Sequence, residues 1–167
     1  MRLVYHPFTG SSDGLIAIYD TKNSSGSPRH VSQVVGITSN SGSGLSRAST
    51  SVVQWYPSDN AVFVSSGADG QLKVWDANHL NVPVEYFNLS KRIYCHHIGK
   101  LNPSQVAVGT DTNHVKLVDL RSGCSTHELR GHKTSVLAVQ WSPNLPSMLA
   151  SGCLDGKALL WDVRKAQ

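Results

Sequence analysis

The chain is predicted to be all-β, a partial β-propeller of about two complete four-stranded blades and two incomplete ones. Three observations carry that expectation. Four times a turn Asp leads into a short apolar stretch that closes on an aromatic or apolar residue followed by Asp: Asp13 to Tyr19-Asp20, Asp69 to Trp75-Asp76, Asp111 to Val118-Asp119 and Asp155 to Trp161-Asp162. The closing residues lie 56, 43 and 43 positions apart, and a period in the low forties is the length of one propeller blade. Within each repeat, short runs rich in β-branched and aromatic residues alternate with Gly, Asp, Asn and Ser-Pro punctuation, which is the pattern of a meander; no helical stretch of useful length interrupts it.

Taken in order, the first repeat starts at Met1 where the second strand of a blade belongs and runs through Gly10-Ser11-Ser12-Asp13-Gly14 to Tyr19-Asp20. Between Thr21 and Thr50 the texture changes, with nine Ser and four Gly. An outer strand is expected near Val31 to Ile37, followed by a flexible Ser/Gly-rich loop over 38–49 that absorbs the longer first spacing. The second repeat reads as strands at Ser51 to Tyr56, Ala61 to Gly67 and Leu72 to Trp75, with the Asp69-Gly70 turn between the last two. The third places strands at Ile93 to His97, Ser104 to Gly109 and Val115 to Val118, and its turn holds one extra residue. Outer strands are expected at Val84 to Leu89 and Ser125 to Leu129. The fourth repeat gives Ser135 to Trp141, Ser147 to Gly152 and Lys157 to Val163 around Asp155-Gly156, an Asp-Gly hairpin signal. Residues 1–167 thus form one partial domain with blade fragments at about 1–37, 50–89, 92–129 and 133–167. Such a chain reads as a segment of a larger propeller or as a shortened reading frame, and its sheet edges call for pairing.

The bulk numbers fit a globular chain: 167 residues, 40% hydrophobic, 16% charged. A net charge of +4, from 15 basic and 11 acidic residues, is spread singly along the chain. That spacing supports a solvated surface, with no sequence-specific nucleic-acid footprint. Cys95, Cys124 and Cys153 form no CxxC pair and are odd in number, which argues against a disulfide framework and for a reducing compartment, each thiol packing as a small hydrophobe. Met1 to Phe8 lacks the apolar run of a signal peptide, and nothing is long enough to span a membrane.

In the last repeat Gly131-His132 stands 23 residues before Asp155, counted from the His, and 29 before Trp161. That Gly-His…Trp-Asp frame resembles the WD repeat. The resemblance implies a hydrogen-bonded structural network of His132, Asp155, Ser151 and Trp161, with Asp69 and Trp75 in matching places of the second repeat. A His beside Ser and Asp also suggests a hydrolase triad. The structural reading is preferred because the frame recurs without the His: Ser46 and Leu89 hold that slot in the second and third repeats. Cys95-His96-His97 is the other cluster of ligand-type residues, but neighbours on a strand point to opposite faces, so no metal centre is expected. No phosphate cradle, paired carboxylates or nucleophile elbow is present, and no cofactor or enzymatic activity is predicted.

Two arginines follow closing Asp residues at the same spacing: Asp119-Leu120-Arg121 and Asp162-Val163-Arg164; Lys22 and Asn78 hold that slot earlier. With Leu149-Ala150-Ser151-Gly152, Asp155 and Leu159 to Asp162, the last repeat resembles the box of WD-repeat receptors of cullin-4 ubiquitin ligases. Ser51 to Pro57, Leu72 to Asp76, Tyr94 to His97, Val106 to Thr110, Leu137 to Pro143 and Trp161 to Ala166 are, in that order, similar to the Cockayne syndrome A family. This resemblance implies a seven-bladed, nuclear, non-catalytic substrate receptor of a cullin-4 RING ligase in transcription-coupled nucleotide excision repair. Its implied partners are the ligase adaptor (the damage-specific DNA-binding protein large subunit), a Cockayne syndrome B-like remodelling ATPase and stalled RNA polymerase II, with Arg121, Arg164, Asp119 and Asp162 as partner-binding residues. Family members dock on the adaptor largely through a helical segment ahead of the first blade, whereas this chain starts inside one. The alternative is a general WD-repeat scaffold in a chromatin or RNA-processing complex.

Overall fold

Antiparallel meanders follow one another along the chain, one per repeat. The structure, a computed structural model, describes residues 8–20, 33–37 and 48–165; the expected start of the first repeat (1–7), the first two residues of the expected outer strand (31–32) and most of the expected Ser/Gly-rich loop (38–47) lie outside them. The first sheet holds β1 (Phe8–Gly10), β2 (Ile16–Asp20) and β3 (Gln33–Ile37), hydrogen-bonded in that order. The second holds β4 (Thr50–Trp55), β5 (Val62–Gly67), β6 (Gln71–Asp76) and β7 (Glu85–Asn88). The third repeats it with β8 (Ile93–Ile98), β9 (Gln105–Thr110), β10 (His114–Asp119) and β11 (Cys124–Arg130). The fourth has β12 (Val136–Trp141), β13 (Met148–Cys153) and β14 (Ala158–Asp162). Among the described residues, two four-stranded and two three-stranded sheets make a partial β-propeller. Where a strand was expected to run on to Val163, the chain instead turns into a short 3-10 helix at Val163–Lys165. Among the described residues no helix is long and apolar enough to cross a membrane.

Burial falls from the middle of each blade outward, and the residue types follow it. Strands β5 and β9 are covered on both faces, so Phe63 to Gly67 and Val106 to Thr110 are buried without interruption. The outer strands need only one inward side chain each, Phe87 in β7 and Leu129 in β11. Cys124 opens β11 in exposed surroundings, which corrects the expectation that every thiol here packs as a core hydrophobe: β11 turns only Leu129 inward. Cys153 is buried, and burial pushes the half-buried Cys95 thiol up to about 11. The inner strands β4, β8 and β12 each carry an irregularity at the same place, Thr50/Val52, Ile93/Cys95 and Val136/Ala138. In the second and fourth repeats the Asp-Gly hairpins close with Gly70 and Gly156 at φ 72° and 80°, a region in which a Cβ is strained.

The core lies between blades rather than inside one. Ile16 and Ile18 meet Phe63 and Trp75, whose rings stack at 6.0 Å. Val64, Leu72 and Phe87 meet Ile93, Val106 and Val118. Ala107, Leu117 and Leu129 meet Val136, Trp141 and Leu149. At this last interface the sheets come so close that a Cβ on Gly109 would stand 2.5 Å from Cys95 Sγ and 2.8 Å from the Val136 carbonyl oxygen.

Candidate partner-binding rim and the network beneath it

Third strands end at the rim in one device repeated three times. Asp76, Asp119 and Asp162 each turn a carboxylate oxygen back to accept the backbone N–H two residues on, from Asn78 at 2.8 Å, Arg121 at 3.0 Å and Arg164 at 3.2 Å. This Asx turn holds the chain at the strand's end and presents whatever side chain occupies the second position after Asp. In the second repeat that is Asn78, whose amide folds onto Asp76 at 2.9 Å. In the fourth, Arg164 lays its fork on Asp162, Nε to Oδ1 at 2.9 Å and Nη2 to Oδ2 at 2.6 Å. The pair holds the Asp162 carboxyl down at about 2 and raises the guanidinium further. Arg164 is nevertheless 72% exposed, so its outer edge faces solvent. Arg121 is exposed and has no ion pair to any described residue. The two arginines therefore share an address but not a state: one fork is engaged, the other is open. An Arg fork in the open suits a planar carboxylate or carbonyl partner.

Beneath this rim, Ser151 in β13 gathers two partners. Trp161 Nε1–H donates to its hydroxyl oxygen at 2.7 Å, and His132 Nε2 lies 2.7 Å from the same oxygen. The imidazole also meets the indole edge-on, with ring centroids 6.0 Å apart. The second blade repeats the core of the device: Trp75 Nε1–H donates to Ser65 at 2.9 Å. In the third blade Val108 and Val118 stand in both slots at once, fully buried, so donor and acceptor are lost together and no polar atom is stranded. Leu89, in the slot of His132, is likewise buried among apolar residues. Asp155 stands beside this group without a direct bond to the imidazole. Its Oδ1 accepts Lys157 N–H at 3.0 Å, the main cause of its lowered pKa, and among the described residues neither its Oδ2 nor His132 Nδ1 has a hydrogen-bond partner. Asp69 makes the same turn bond, to Gln71 N–H at 3.1 Å, and pairs with Lys73 at 2.8 Å. Ser151→Ala is expected to destabilise the fold by about 2 kcal/mol, because Trp161 Nε1 and His132 Nε2 lose their shared partner in the interior. Chemical denaturation measures it, and a change under ~0.5 kcal/mol would show that the network carries little.

Three polar side chains between blades were not foreseen as a group. His96 is buried, and its Nδ1 lies 2.7 Å from Ser66 Oγ in the preceding blade. His97, on the opposite face, accepts Trp141 N–H of the following blade at 3.0 Å. Gln54 clamps Ile98 of the next blade with both ends of its amide. The alternation rule already separated His96 from His97, and the 43-residue offset between Gln54 and His97 was the signal that marks them as one slot.

The family model for the "WD domain, G-beta repeat" matches residues 31–76 and 123–162. The chain belongs to the WD-repeat family. Strands β8 to β10 of the degenerate third repeat fall between the two matched stretches. Among its relatives, this WD-repeat chain is 30% identical over 165 residues to the WD repeat-containing protein ATCSA-1 of Arabidopsis thaliana, covering 95% of this chain and 36% of that protein. It is 33% identical over 121 residues to the ribosome biogenesis protein ytm1 of Pyrenophora tritici-repentis, covering 68% and 25%. It is 28% identical over 122 residues to the histone acetyltransferase type B subunit 2 of Debaryomyces hansenii, covering 67% and 29%. The chain thus spans about a third or less of the length of these relatives.

Proposed function

We propose that this WD-repeat chain serves in a nuclear, non-catalytic substrate receptor of a cullin-4 RING ubiquitin ligase, of the Cockayne syndrome A type, in transcription-coupled nucleotide excision repair. The observation that carries the reading is the similarity to ATCSA-1 along 95% of the chain, where the ribosome biogenesis and acetyltransferase relatives match only about two thirds of it. The rim supports it: Arg121 and Arg164 follow Asp119 and Asp162 in successive blades, both exposed. The ligase adaptor is the partner assigned to that rim, while a remodelling ATPase and stalled polymerase are the targets assigned to the receptor as a whole. Bond chemistry by Ser151 finds no support in its setting, since the residue is 3% exposed, its oxygen accepts the Trp161 N–H, and Asp155 makes no bond to the His132 imidazole. The second reading, a scaffold in a chromatin or ribosome-assembly complex, draws on the acetyltransferase and ribosome biogenesis relatives.

Co-purification of the adaptor with the full chain tests the first reading against the second. Retention by the wild-type chain and loss in the Arg121→Ala/Arg164→Ala double variant is the expected result. No adaptor with the wild-type chain favours the scaffold reading.

A further inference from the structure

At the turn between β13 and β14, His132, Cys153 and Asp155 each bring one ligand-type atom within 4.8 Å of the other two. His132 is 4% exposed; its Nε2 lies against Ser151 Oγ, which leaves Nδ1 as the nitrogen still open. That Nδ1 and the Asp155 Oδ2 are both buried, and neither has a partner among the described residues. Cys153 is buried too, with the Thr134 hydroxyl at 2.9 Å and the Thr134 carbonyl at 3.3 Å from its sulfur. Asp155 is already oriented, because its Oδ1 accepts the Lys157 N–H. Two stranded atoms of this kind, a ring nitrogen and a carboxylate oxygen, carry a desolvation cost that a shared cation would remove.

The other blades show what normally fills these places. Strand register puts Gly67, Thr110 and Cys153 in one slot, each opposite the first residue of its inner strand. In the second blade Asp69 Oδ2 holds a cation, the Lys73 ammonium at 2.8 Å, and Gly67 offers no ligand. In the third, Thr110 and Thr112 close on each other, hydroxyl to hydroxyl, at 2.7 Å, and Leu89 is buried in the His132 slot. In the fourth, Leu159 pairs with Ser151 as Lys73 pairs with Ser65, so the lysine that neutralises Asp69 has no counterpart. The same repeat supplies both a thiol and an imidazole beside the carboxylate.

We propose that His132 Nδ1, Cys153 Sγ and Asp155 Oδ2 bind one divalent transition-metal ion, zinc by the chemistry of the donor set. Thiolate, imidazole and carboxylate together suit zinc, and three protein ligands leave a fourth position to water. Tetrahedral bonds of about 2.0–2.3 Å place ligand atoms roughly 3–4 Å apart, so the three side chains have to draw in by ~1 Å at most. The outer contacts fit the role. His132 Nε2–H donates to Ser151 Oγ and fixes the ring, while the Thr134 hydroxyl donates to the sulfur. The ion would tie the segment ahead of β12 to the β13–β14 turn, so that binding adds to folding stability.

The test uses the full chain, reduced, stripped with a chelator and titrated with cobalt(II) and then with zinc. One equivalent of cobalt is expected to give thiolate-to-cobalt charge-transfer absorption with the visible bands of a four-coordinate ion, and zinc is expected to displace it. Cys153→Ser should abolish the charge-transfer band, while Cys95→Ser and Cys124→Ser keep it. Asp155→Asn, a second near-isosteric change, should weaken zinc at least ~10-fold. Zinc should raise the thermal midpoint of the wild-type chain by several degrees and leave that of Cys153→Ser unmoved. No charge-transfer band at one equivalent overturns the proposal, as does a band that survives Cys153→Ser, which places the ion elsewhere. So does a His132 Nδ1–H proton that stays protected with zinc in excess, which means that Asp155 and His132 close directly on each other.

Discussion

Gly109→Ala is expected to destabilise the chain by about 2–3 kcal/mol, the range of an overpacked core site, and to lower its thermal midpoint by roughly 5–10 °C for a chain of this size. The added methyl would sit 2.5 Å from Cys95 Sγ, which has some freedom to turn, and 2.8 Å from the Val136 carbonyl, which belongs to the backbone of the next blade. Relief therefore requires the third and fourth blades to move apart, which loosens the contact of Ala107 and Leu117 with Val136 and Trp141. Gly152→Ala is the matched control one repeat later, where the same methyl meets ordinary contact distance and open space; it is expected to be neutral or to stabilise by ~0.5 kcal/mol through the unfolded chain. Equal effects from the two substitutions would mean that the blades do not pack as described.

Acid is expected to weaken the fold well above the pH at which carboxylates protonate. Burial, with the neighbouring His97 charge added, pushes His96 down to about 3, and burial lowers His97 as well. A histidine depressed in this way is neutral when folded and takes up a proton when unfolded below about pH 6.5. Its contribution is therefore complete above that value and is lost as pH falls toward the folded pKa. From pH 7.5 to 5.0, His96 alone is expected to remove about 2 kcal/mol. Asp76, Asp155 and Asp162 are depressed carboxylates; their contribution is present above about pH 4 and fades only below it, so it does not confuse the window between 6.5 and 5. Urea unfolding at the two pH values, for the wild-type chain and His96→Gln, makes the measurement. The variant should lose less than half as much as the wild type, and parallel losses would contradict a buried neutral His96.

The blade architecture was legible because its signals are local. Asp-Gly turns and β-branched runs act within a few residues, and the closing residue followed by Asp recurs 56, 43 and 43 positions apart; the four sheets follow these signals closely. The Trp161–Ser151–His132 contact was legible through the resemblance carried by the Gly131-His132…Trp161-Asp162 frame. What was hidden lies between repeats. His96 to Ser66, His97 to Trp141 and Gln54 to Ile98 depend on how one sheet is laid on the next, which a period announces but does not orient. Cys124 was misjudged because an outer strand needs only one buried side chain, and Leu129 already fills that place. The separation of Asp155 from His132 and the unequal state of the two rim arginines turn on side-chain placements of a few ångström. No spacing in the sequence encodes those.

The measurement that bears most directly on function is the affinity of purified ligase adaptor for the full chain, taken by calorimetry with Arg121→Ala and Arg164→Ala studied separately. Arg121 has an open fork, whereas Arg164 is held on Asp162. Arg121→Ala is therefore expected to weaken binding at least tenfold, about 1.4 kcal/mol, and Arg164→Ala by less. Binding that neither substitution alters, or no binding by the wild-type chain at all, would contradict the receptor account.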